Sequence, residues 1–120
     1  MSLFDIFSIM SGRSFCEEPI EALEIADSVN PKLREALKEL HSFIWRDGAL
    51  PLKYKHLIAL ALSICRGVEE KQAHKVLRRA IDSGATPDEV IETLLVVTWV
   101  EGIPAFVASR SILEALKGEE

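Results

Sequence analysis

Apolar positions recur at spacings of three and four along most of the chain, and the polar positions between them carry the signals that start and stop helices. Leu3, Phe4, Ile6, Phe7, Ile9 and Met10 crowd one side of a short helix that Gly12 ends. Residues 1–15 are therefore read as a docking arm, packed on the same subunit or a neighbour. A membrane-surface role fits it less well, because its polar face lacks the Lys and Arg that anionic lipid attracts. A second short helix runs from Pro19 and Ile20 through Leu23 to Ala26 or Asp27. Asn30 caps a third, with Pro31 at its first position, where no amide hydrogen is missed. Leu33, Ala36, Leu37, Leu40 and Ile44 give that helix one apolar stripe, expected to face the core, and Asp47 and Gly48 stop it.

Pro51 opens the next helix, in which Leu57, Ile58, Ala59, Leu60, Ala61, Leu62, Ile64 and Cys65 leave only Ser63 as a polar interruption. Gly67 loosens the connection to a charged segment from Glu69 to Asp82, which Ser83 and Gly84 terminate. Thr86, Pro87, Asp88 and Glu89 spell a capping box ahead of Val90, Ile91, Leu94, Leu95, Val96, Val97, Trp99 and Val100. The β-branched content of that run would allow a strand, but the cap and the length favour a helix. A last helix is expected from Pro104 through Phe106, Ile112, Leu113 and Leu116 to Gly118. The pattern predicts an all-α single domain over residues 1–120.

Two helices apolar on nearly every face need cover on every face, and a chain of 120 residues has few other helices to supply it. A homo-oligomer is expected. With 48% hydrophobic residues the chain can still bury a modest core of its own. The net charge of -5 argues against nucleic acid as a partner, since phosphate backbones select a concentrated basic face. Lys75, Arg78 and Arg79 read instead as a solvated helix side. Cys16 and Cys65 are too few for a disulfide framework and form no CxxC pair, which suits a reducing, cytoplasmic compartment. Asp5 within the first apolar stretch, and no basic residue before Arg13, argue against a signal peptide. Every apolar stretch breaks well short of the roughly 20 residues a bilayer needs, so no membrane partner is expected. Neither a metal nor a cofactor is expected.

Four segments in order, the WRDGAL turn at Trp45 to Leu50, the buried LIALA helix, the GATPDEV cap and the GIPA turn, resemble the carboxymuconolactone decarboxylase and AhpD-like family over roughly residues 33 to 116. The resemblance implies an AhpD-like helical bundle, oligomeric, with the two most apolar helices as its core. In the thiol-dependent branch of that family a glutamate relays protons to a CxxC pair, followed after one turn by a histidine. Carried over, the glutamate falls on His56, and the cysteines fall on Val68 and Lys71 or on Glu69 and Gln72, so no thiol stands at either pair. The family histidine falls near Lys75 or Val76, and His74 sits one or two positions short. Dithiol chemistry is not expected.

The decarboxylase branch, with two acidic residues followed by a histidine, is similar to Glu69, Glu70 and His74. The resemblance implies a lyase acting on a small carboxylated lactone or related acid, with His56, Glu69 and His74 as catalytic candidates. A histidine beside a carboxylate can deliver the proton that decarboxylation leaves owing to carbon. Lys71, Arg66 and Arg78 are available to hold the anion. Other readings stand beside this one. Glu70 with His74, and Glu69 with Lys71 or Lys75, also have the spacing of surface pairs. His56 at the mouth of the apolar helix is either a functional or a hydrogen-bonded structural histidine, His41 is peripheral, and Glu101 is a candidate acid or a helix-end residue. Cys65, among Ala61, Leu62 and Ile64, is expected to be a buried thiol with a raised pKa, against a one-cysteine peroxidase. A family member without chemistry, kept as a binding or assembly module, is the further alternative.

Overall fold

The computed structural model describes residues 20–119, so the docking arm expected at residues 1–15, and Cys16, lie outside the described residues. Seven helices, and no strand, make up the described residues: α1 (Ile20–Val29), α2 (Pro31–Ile44), α3 (Leu52–Arg66), α4 (Glu70–Asp82), α5 (Pro87–Glu101), α6 (Ile103–Ala108) and α7 (Arg110–Glu119). None of them is long and apolar enough to cross a membrane.

The caps form as their residues require. Asn30 is extended, and its side chain accepts from the Lys32 amide at 2.9 Å. At α5 the Thr86 hydroxyl accepts from the Glu89 amide at 3.1 Å, while the Glu89 carboxylate accepts from the Thr86 amide at 2.9 Å. Asp47 Oδ1 accepts from the Leu52 amide at 2.7 Å, so the residue expected to stop α2 also starts α3. Gly67 ends α3 at φ 71°, a left-handed conformation that costs a residue with a Cβ.

The core lies where α3, α4, α5 and α7 meet. Leu57, Leu60 and Ile64 of α3 meet Val76, Leu77 and Ala80 of α4, with Val90, Leu94 and Val97 of α5 and Ile112 and Leu116 of α7 closing the cluster. The last helix is two helices rather than one. Between them Ser109 is buried, and its hydroxyl is satisfied locally by donating to the Phe106 carbonyl at 2.8 Å.

The stripe on α2 is the larger correction. No residue of α2 is buried, and Leu33, Leu40 and Ile44 are exposed. The reason is topological: α1 and α2 pack on each other as a hairpin, and neither lies along a helix of the body. The hairpin joins the body at its base, where Lys55 Nζ donates to the carbonyls of Ile44 (2.6 Å) and Arg46 (2.7 Å). The molecule is correspondingly long, 44 × 30 × 25 Å.

Candidate functional site

His74 and Glu70 are one turn apart on the outer side of α4, and their side chains meet, His74 Nε2 standing 3.8 Å from Glu70 Oε1. That separation suits an ion pair and exceeds a hydrogen bond. The pair lines an open cavity of 720 Å³ between α4 and Ala115 of α7. Lys71, Lys75 and Arg78 line the same cavity, so three cationic side chains surround one imidazole and one carboxylate. Of the cations expected to be available for an anion, Lys71 and Arg78 are here; Arg66 is not among the lining residues. Lys75 joins them.

His56 and Glu69 do not line this cavity. Glu69 is the exposed residue ahead of α4, and its side chain makes no capping hydrogen bond. His56 lies ten residues before the end of α3, about 15 Å along the axis from the turn into α4. Helix geometry thus separates the three candidates: α3 places its histidine at one end of the antiparallel pair, whereas α4 begins at the other.

His56 has a setting of its own. It is 5% exposed, and its ring stacks on Trp45 with centroids 4.9 Å apart and planes 22° from parallel. Its Nδ1 is buried without a hydrogen-bond partner. Burial lowers the pKa of the ring, and the nearby Arg79 charge lowers it further. Trp45 escaped the sequence reading because the contact crosses the α2 to α3 turn, whose path no periodicity reveals. His41 is half-buried, its ring 6.5 Å from that of Trp45.

Cys65 is exposed, contrary to expectation. It follows Ile58 and Leu62 along the side of α3 that faces away from the core, and both of those are exposed too. Its pKa is nonetheless raised, by local desolvation and then by the Glu101 charge, which disfavours the thiolate. Glu101, exposed at the end of α5, acts on this thiol and lines no cavity with His74. Glu89 has two tasks: besides its cap it pairs with Lys53 across α3 and α5 at 3.1 Å. Its carboxyl is held below its usual range by the Thr86 amide and then by Lys53, and the Lys53 ammonium is raised in turn by Glu89. Among the described residues no three His, Cys, Asp or Glu side chains gather to hold a metal ion.

Comparison with known proteins places this architecture. Two proteins of Methanocaldococcus jannaschii are similar over 97 residues: the uncharacterized protein MJ1511 at 29% identity, covering 80% of this chain and 90% of its own, and the uncharacterized protein MJ0742 at 28%, covering 80% and 92%. No solved structure matches significantly. The model of the carboxymuconolactone decarboxylase family matches residues 31–115, from the start of α2 into α7. With the capping box, the GIPA turn and the all-helical core in their expected order, the chain belongs to the carboxymuconolactone decarboxylase family.

Proposed function

We propose that the chain is a cytoplasmic lyase that removes carbon dioxide from a small carboxylated lactone or related acid bound at the cavity on α4. The observation that carries this reading is the convergence of His74 and Glu70 with Lys71 and Lys75 at one open cavity. The ammonium groups attract the substrate anion, most strongly at low salt because the cavity is open to solvent. Cleavage of the bond to the carboxylate carbon releases carbon dioxide and leaves its electron pair on the adjacent carbon, conjugated with a carbonyl. His74 in its protonated form gives that carbon a proton and is reprotonated from solvent, with Glu70 orienting the ring. His56 and Glu69, outside the cavity, carry no step in this scheme: His56 packs under Trp45, and Glu69 precedes α4.

The test is release of carbon dioxide from a carboxylated lactone by the full chain. His74→Gln is expected to slow release about 100-fold or more, the usual weight of a general acid, with an unchanged far-ultraviolet spectrum. Wild-type rates in that variant would overturn the assignment. A second reading has one observation in its favour: no thiol stands where the family's thiol branch has its two cysteines, on Val68 and Lys71 or on Glu69 and Gln72. On that reading the cavity binds an acid without turning it over. Saturable binding of the lactone acid by the wild type, with no carbon dioxide released, would favour it.

A further inference from the structure

A second cavity adjoins the one on α4, and Glu70 lines both. It holds 360 Å³, where the end of α3 and the start of α4 face the chain between α6 and α7. Ile64, Ala73 and Ile112, all core residues, give it an apolar floor, and Val68, Val107 and Ala108 also line it. Its polar lining is Glu70, Arg110, Ser111 and Glu114. Arg110 Nε donates to Glu114 Oε1 at 3.0 Å, and both side chains are largely exposed, so this pair satisfies itself at the rim. The Glu70 carboxylate stands beside His74, which lines only the first cavity. The two cavities thus differ in character: Lys71, Lys75 and Arg78 line the first, and none of them lines the second.

We propose that the acid bound on α4 carries an uncharged alkyl tail, which passes Glu70 and lies in the second cavity. The inference rests on the reading of the α4 cavity as the seat of an acid, and it names the class of that acid. Three observations lead to it. A molecule with an anionic end and an apolar end matches a cation-lined cavity that shares a wall residue with an apolar-floored one. The far end of the ligand is uncharged, because the single cation of the second cavity is already taken by Glu114, and the Glu70 and Glu114 carboxylates repel a second anion. The tail also has a length: Glu70 and His74 are about 6 Å apart along the helix axis, so a methyl substituent beside His74 stops short of the second cavity and a butyl or longer chain enters it. Burial of that tail supplies binding energy away from the reacting carbon, which holds the acid against His74.

The test is calorimetric binding of γ-lactone carboxylic acids bearing methyl, butyl, hexyl or octyl substituents to the full chain, beside carbon dioxide release from the same acids. Beyond butyl, each added methylene should tighten binding about twofold, half the free energy of a fully buried methylene because the cavity is open. Val107, 63% exposed, can be replaced without disturbing the core. Val107→Asp sets a carboxylate beside the tail, and Ala108→Trp fills the space without a charge; each should abolish the dependence on length. Lys71→Gln should weaken all four acids by the same factor. In Trp99→Asp, which alters the exposed apolar patch on α5, the dependence should persist. Affinity independent of length overturns the proposal, as does a length dependence that survives both Val107→Asp and Ala108→Trp or disappears in Trp99→Asp. Length-dependent binding without carbon dioxide release supports the tail and refutes only the lyase reading. Release of carbon dioxide with affinities independent of length does the reverse, and no binding by any of the acids overturns both.

Discussion

His56 shows at the residue scale how burial sets chemistry. An imidazole at the mouth of an apolar helix, stacked on Trp45 and facing Arg79, cannot hold a proton as readily as one in water. Its folded pKa lies below the unfolded value of 6.5, so below pH 6.5 the unfolded chain binds a proton that the folded chain resists. The stability that comes from burying the neutral ring is thus fully present above pH 6.5 and is lost as the pH falls toward the folded pKa. Urea denaturation between pH 7.5 and 5 should show stability falling with a slope of up to about 1.4 kcal/mol per pH unit from this one group. In His56→Phe that contribution should vanish, leaving only what the other titrating groups supply. His74, half-exposed beside Glu70, stands instead at the open cavity.

Elements in this protein are set largely by their ends. α5 is rich in β-branched residues, which favour strands, yet its reciprocal Thr86 and Glu89 bonds satisfy amides that a helix would otherwise leave orphaned. Thr86→Ala should therefore destabilise the fold by about 1 kcal/mol, read as a shift of the thermal or denaturant midpoint. Glu89→Gln should cost less, since the amide can still accept from the Thr86 amide but gives up most of its attraction to Lys53. These ends were legible in the sequence because capping is local, involving residues within three of one another. The break at Ser109 was not: Pro104 to Gly118 reads as one amphipathic helix, and only the direction of α7, packed against α4, α5 and α6, requires the chain to turn there.

At the scale of the whole molecule, a compact body of five helices carries a two-helix hairpin that stands away from it. The division makes a contrast in stability. Leu94, 1% exposed at the centre of the core, should cost about 3 kcal/mol when replaced by alanine, seen as a loss of global stability. Leu40→Ala should change the stability of a dilute, dissociated chain by well under 1 kcal/mol, because an exposed side chain has little burial to lose. Equal losses from both substitutions in the dissociated chain would mean that the hairpin is buried within its own subunit.

The sequence by itself determined the seven-helix alphabet almost completely, because caps, breaks and periodicity are properties of neighbouring residues, and its ordered motifs determined the family. It also marked three candidate residues without their arrangement: only the folded chain sends His56 to the far end of α3, leaves Glu69 outside the cavity, and joins His74 to Glu70 with Lys71 and Lys75. Periodicity states that one side of a helix is apolar and is silent on what covers it. The same 3.6-residue rhythm that buries Leu57, Leu60 and Ile64 leaves Ile58, Leu62 and Cys65 in the open, and it leaves the Leu33 to Ile44 stripe outside the core for which it was read. Tertiary structure decided those outcomes, since which apolar side finds a partner depends on where non-neighbouring helices lie.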